Sequence, residues 1–153
     1  MNNNNLPHVA IAILYREGKF LLQLRDDIPG IIYPGKWTCF GGHLEPGEIP
    51  QVAIRRELVE EIGYNPDLVW EFCVDCDTNV VRHVFYAPLT VELKDLVLGE
   101  GWDMGLLTPA EIKAGKAYSE NAGMERSLGE FHQKILLDFM NEYGSVTKRR
   151  SSF

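Results

Sequence analysis

Apolar positions along the chain change their period near residue 50, from short β-like runs to a helical repeat. Val9 to Tyr15 and Phe20 to Leu24 are apolar runs joined at Glu17-Gly18, which predicts a hairpin. "DDIPGIIYPGKW" packs two Pro-Gly dipeptides into one short span and predicts a loop, and Trp37 to Phe40 predicts a short strand leading into glycine-rich "GGHLEPGE". From Pro50, Ile54, Leu58 and Ile62 recur every fourth residue as a core-facing stripe, with Gly63 placed to stop the helix. "LVWEFCVD" and "VVRHVFYAPLTVEL", separated by Asp77-Thr78-Asn79, predict two or three further strands.

"TPAEI" offers Thr108 as N-cap, Pro109 at the first helical position and Glu111 to close a capping box. Ser127 to Tyr143, with Leu128, Phe131, Ile135, Leu136 and Phe139, predicts a third, longer amphipathic helix over the core. Residues 1–6 and 145–153, the latter ending in "KRRSSF", are expected to be tails. There is no internal repeat, and the pattern predicts one domain over residues 1–153.

The polar side of the first helix raises a question of its own. "RRELVEEIG" sets Glu57, Glu60 and Glu61 at i, i+3 and i+4, within an arc of roughly 100° about a quarter-turn from the apolar stripe. Repulsion at this spacing costs only about 0.2–0.5 kcal/mol per pair on a solvated helix, so energetics alone allow a wet acidic face. The alternative is a hard divalent cation, since magnesium and manganese prefer carboxylate oxygens.

Composition narrows the classes. The chain has 153 residues, 45% of them apolar, enough for one core, and a formal net charge of −7, which argues against a nucleic-acid polymer as partner. No apolar run approaches the ~18 residues of a membrane span and the Asn-rich start lacks a signal-peptide pattern, so a cytoplasmic protein without a membrane partner is expected. Cys39, Cys73 and Cys76 make no secreted disulfide framework, and "CVDC" lacks the second half of a zinc site.

From Gly42 the chain reads "GHLEPGEIPQVAIRRELVEEIGY": Gly42, five residues, Glu48, seven residues, Arg56-Glu57-Leu58, one residue, Glu60-Glu61, one residue, Gly63. This spacing resembles the signature of the Nudix hydrolases, enzymes that cleave nucleoside diphosphates linked to another moiety. Every glycine and polar position is matched, and the one departure is Tyr64 in place of a bulky aliphatic residue. The resemblance implies an α/β/α sandwich with a mixed central sheet and a loop-helix-loop catalytic unit. It also implies magnesium or manganese as cofactor and a nucleotide diphosphate derivative as small-molecule substrate, and it leaves a homodimer open.

By the same resemblance Glu57, Glu60 and Glu61 are metal ligands, with the Gly41 carbonyl as a further one. Arg56 orients the glutamates and Glu48 supports them from the loop. Glu57 is the first choice of general base, and Glu100, glycine-flanked in "LGEGW", is the later-loop alternative. Arg25 resembles a phosphate-contacting arginine. Gly42 and His43 sit where the loop meets phosphates, though His43 equally finishes the turn. Tyr33, Trp37 and Trp102 are candidates to stack on a base or simply to pack, while His83 and His132 are read as structural.

Oxidised-guanine triphosphatases commonly carry an aromatic residue and proline before the two glycines, where Cys39 and Phe40 stand here, so a nucleotide sugar or other diphosphate ester is preferred. Two rivals are a domain that binds nucleotide without cleaving it and a GDP-sugar glycosyl hydrolase. Both usually depart from the glutamate pattern that this chain keeps.

Overall fold

The structure, a computed structural model, describes residues 5–150, with side chains described to residue 144. Of the expected tails at 1–6 and 145–153, residues 1–4 and 151–153 lie outside the described residues, while 145–150 are not a tail but continue the last helix. Strands β1 (His8–Arg16) and β2 (Lys19–Leu24) form the predicted hairpin, with Arg16 opposite Lys19 across a two-residue turn. The stretch read as one strand from Trp37 to Phe40 is instead two, β3 (Trp37–Thr38) and β4 (Phe40–His43), which change partners at Cys39. β3 pairs with β2 and β4 with β1, so Gly41 and Gly42 lie in a strand and not in a loop.

Helix α1 (Pro50–Ile62) begins with proline in its first turn and ends on a left-handed Gly63. Strands β5 (Trp70–Cys76) and β6 (Val81–Pro88) follow, joined at Asp77, whose carboxylate accepts from the Asn79 and Val80 amides. The predicted capping box closes α2 (Pro109–Ala114): Thr108 accepts from the Glu111 amide and Glu111 accepts from that of Thr108. Three strands have no counterpart in the sequence reading: β7 (Asp103–Leu107), β8 (Lys116–Ser119) and β9 (Met124–Ser127). Helix α3 (Glu130–Arg150) starts after β9, later than Ser127, and continues beyond Tyr143.

The main sheet is mixed and seven-stranded: β3-β2-β1-β6-β5, with β4 on β1 and β7 on β2, and only the β1–β6 pair parallel. Burial on both faces makes β1 and β2 nearly continuous apolar runs. On one face Ala53, Ile54, Leu58 and Ile62 of α1 pack on Ala10, Ala12, Leu21, Phe40 and Phe85, and the small alanines let the helix lie close. On the other, Phe139 of α3 meets the rings of Tyr15, Phe20, Phe72 and Tyr86. The result is the α/β/α sandwich. No described helix is long and apolar enough to cross a membrane.

Candidate active site

Because the apolar stripe of α1 is spent on the sheet, its glutamate arc is turned to an open cleft of about 410 Å³. Glu57, Glu60 and Glu61 line it together with Gly41, Gln23, Arg25 and Glu100. Four separate segments therefore meet: α1, β4, the end of β2 and the loop before β7. That last loop is clamped to the end of α1, whose final carbonyls would otherwise lack partners. The Val97 amide donates to the Ile62 carbonyl at 3.2 Å and the Gly99 amide to that of Glu61 at 2.9 Å. Trp102 then donates to the Leu24 carbonyl at 2.8 Å, so Glu100 is presented between two anchors.

The two glycines of β4 have different reasons to be glycine. At Gly41, with φ of 153°, a Cβ would lie 2.0 Å from the Ala10 carbonyl oxygen, so no side chain fits beside β1. At Gly42 a Cβ would lie 2.5 Å from a Glu57 carboxylate oxygen. The second glycine is thus the space into which Glu57 folds.

Arg56 organises the outer half of the cluster. Its Nε and Nη2 donate to the two oxygens of Glu48, each at 2.8 Å, and its Nη1 donates to Glu57 at 3.0 Å and Glu60 at 3.2 Å. A further bond runs from Nη2 to the His43 carbonyl at 3.2 Å. The Arg56 bonds, with the Glu45 amide, hold the Glu48 carboxyl down at about 2 and push the Arg56 guanidinium further up.

Glu61 has the opposite environment. Burial pushes its carboxyl up to about 8, reinforced by a hydrogen bond and charge repulsion from Glu57. Two neutral donors oppose the shift: the Gly41 amide at 3.2 Å to Oε1 and the Gln23 carboxamide at 3.1 Å to Oε2. No group of three or more His, Cys, Asp or Glu side chains among the described residues stands ready to hold a metal, because Glu57 and Glu60 lean on Arg56. The donor set nevertheless fits a hard divalent cation. One guanidinium meets four carboxylates, those of Glu45, Glu48, Glu57 and Glu60, and the buried Glu61 beside Glu57 has no counter-charge of its own, which a cation's charge would supply.

Several sequence candidates lie elsewhere. The His43 side chain is exposed and outside the cleft; its contribution is its carbonyl. Trp37 is 2% exposed, its indole donating to the Ala117 carbonyl, which makes it a core residue and no stacking platform. Tyr33 packs edge-on to His132, and Trp102 lies beneath Arg126. His132 is structural as read: buried, it accepts from the Cys39 amide at 3.1 Å, and burial lowers its pKa to about 3. The three cysteines are free.

Other cleft residues went unnoticed in the sequence: Gln23, Asp26, Ile28, Ile31, Gly99 and Gly101. For Gln23 a signal existed, one carboxamide inside the apolar run "FLLQL". The loop carrying Asp26 to Ile31 is tied down by Arg126, which donates to the Gly35 carbonyl at 2.9 Å and pairs with Asp27 at 3.3 Å.

A family model described as the NUDIX domain matches residues 5–128. The chain belongs to the Nudix hydrolase family. Among the relatives of this Nudix hydrolase is the RNA pyrophosphohydrolase of Gluconobacter oxydans (strain 621H), 46% identical over 151 residues, covering 92% of this chain and 86% of that one. The nucleoside triphosphatase NudI of Escherichia coli (strain K12 / DH10B) is 38% identical over 75 residues, 46% of this chain and about half, 52%, of that protein. A MutT structure from work on Aliivibrio salmonicida and Vibrio cholerae superposes with a TM-score of 0.70 at 18% identity, covering 90% of this chain and 99% of that one. The NUDIX domain of Shewanella oneidensis NrtR, solved with ADP ribose, gives 0.67 at 16% identity over 89% of this chain and 87% of that one. At these identities the structural likenesses bear on fold alone. The Nudix family acts on nucleotide diphosphate derivatives, and the sandwich described above is its fold.

Proposed function

We propose that this Nudix hydrolase uses magnesium or manganese, held by Glu57, Glu60 and Glu61 with the Gly41 carbonyl, to hydrolyse a diphosphate bond by attack of water at phosphorus. The products are phosphorylated, a nucleoside monophosphate among them. The observation that carries this reading is convergence: three carboxylates of α1, the loop carboxylate Glu100 and Arg25 line one cleft. When bound, the cation offsets the diphosphate charge and lowers the pKa of water.

The chain's own residues divide the remaining work. Arg56, anchored on Glu48 by two bonds, sets where Glu57 and Glu60 stand. Glu57 takes the proton of the attacking water, with Glu100 on the neighbouring loop as the alternative base. Arg25 binds a phosphate oxygen, and Gly42 leaves Glu57 its space. Asp26 offers acceptors for sugar hydroxyls beside Ile28 and Ile31, and among the described residues no aromatic side chain lines the cleft to stack on a base. That lining favours a nucleotide sugar or related diphosphate ester.

A second substrate reading rests on the 46% identity to an RNA pyrophosphohydrolase. A 5′-phosphorylated RNA end fits the cleft chemistry, while the net charge of −7 confines any such contact to the terminus. The test is one panel of nucleotide sugars, dinucleotides, nucleoside triphosphates and a 5′-triphosphorylated RNA oligonucleotide, run with magnesium in water labelled with heavy oxygen. Label in a phosphate product is expected, and chelator should abolish turnover without unfolding the chain. Label in a sugar product would replace the mechanism by glycosyl transfer to water. Binding without turnover of any member would make this a recognition domain.

A further inference from the structure

We propose that Gln23 is a positioning residue for Glu61, holding the one glutamate of the cluster that is oriented without a counter-charge; this rests on the metal reading above. Gln23 lies on β2 and is 7% exposed, on the same face of the sheet as Leu21, which packs under α1. An apolar residue there would extend that packing. A carboxamide in its place costs free energy unless its polar atoms are used. Its Nε2 is used on Glu61 Oε2, at 3.1 Å across 38 residues of chain.

The other oxygen, Oε1, is taken by the Gly41 amide from β4. Glu61 is thus gripped at both oxygens by neutral donors from two strands. The contrast with its neighbours gives this grip a purpose. Glu57 and Glu60 are oriented by the Arg56 guanidinium, a positive charge that competes with any cation for their oxygens. Neutral donors fix direction and leave the carboxylate's charge available. The carboxamide oxygen of Gln23 faces the loop that carries Glu100, and a Cβ at Gly101 would stand 3.5 Å from it. Both Gln23 and Glu61 line the cleft.

The plain alternative is that Gln23 only satisfies its own amide. Gln23→Met, close in length and without donor or acceptor, separates the two. Manganese binding would be followed by electron paramagnetic resonance on the full chain, with melting temperature without metal and kcat and KM on a panel substrate alongside. The expected result is a manganese Kd raised about tenfold or more and kcat lowered comparably, with nucleotide KM within about twofold and melting unchanged or raised. In a Glu61→Gln background, Gln23→Met should add no further loss of manganese affinity, because it acts through Glu61. Unchanged manganese affinity in Gln23→Met, an additive loss in the double variant, or a variant that no longer folds would each overturn the assignment. Wild-type protein that binds no manganese would instead remove the metal reading itself.

Discussion

The two ends of α1 treat the same side chain in opposite ways. At its start, Glu48 reaches from the preceding loop to Arg56 and is held ionised down to about pH 2, while near its end Glu61 sits half-buried against Glu57 and keeps its proton up to about pH 8. Residue type and sequence neighbourhood are alike; the partners differ. One glutamate meets a guanidinium through two bonds, the other meets a second carboxylate and two neutral donors. The first end is therefore neutralised within the chain, while the second lacks a counter-charge, and it is there that the proposed cation would act.

The largest expected effect breaks the second end. Glu61→Gln keeps the shape and removes the charge, so turnover with magnesium should fall by about 10²-fold or more, a transition-state loss of roughly 2.7 kcal/mol. Melting temperature without metal should hold or rise, and a fully active, metal-binding variant would return the glutamate arc to a solvated face. Arg56→Lys attacks the junction of the two ends. A point charge cannot reproduce the fork that joins Glu48, Glu57 and Glu60, so activity should drop about 10-fold to 100-fold with fold retained, read by kcat and circular dichroism on one sample.

Stability against pH sharpens the contrast. For Glu61 the folded pKa lies above the ordinary value of 4.5, so the folded form binds more protons and metal-free stability should fall as pH rises from there through about 8. The loss is on the order of a few kcal/mol, and Glu61→Gln should remove it in denaturant titrations across that window. Glu48 runs the other way: its contribution is present above 4.5 and lost as pH falls toward about 2. His132, with its pKa lowered to about 3, adds a loss in the same direction starting near 6.5. Glu48→Gln should therefore flatten the acid limb only below about pH 4.5, a smaller change than the others and one that leaves the His132 slope in place.

Sequence pattern reaches different depths at the two ends. The Glu48–Arg56 pairing joins a short loop to the middle of one helix; the family resemblance implied only that Arg56 orients the glutamates and Glu48 supports them from the loop, and the structure adds that the two bond each other. The division between Glu57, Glu60 and Glu61 was not legible at all, because all three occupy one arc and only packing decides which oxygen meets which donor. Trp37 illustrates the same limit: an aromatic residue beside a glycine-rich stretch reads equally as platform or core, and its burial settles it as core. β8 and β9 escaped because "KAYS" and "MERS" carry little apolar alternation. They are held largely from outside, through Ser119 on Asp103 at 2.6 Å and Arg126 on Gly35.

Local chemistry alone determined the hairpin, the span and stop of α1, the capping box at Thr108 and the acidic arc, since each depends on residues within about one or two turns of one another. Tertiary structure decided that Gly41 and Gly42 are strand residues, that Gln23 grips Glu61, and that Arg25 and Glu100 share a cleft with the helix glutamates. These are contacts between segments 20 to 38 residues apart or more, made by sheet register and loop clamping. Periodicity reports which face of an element is buried, but not what stands opposite it. A carboxylate's proton affinity is set by what stands opposite.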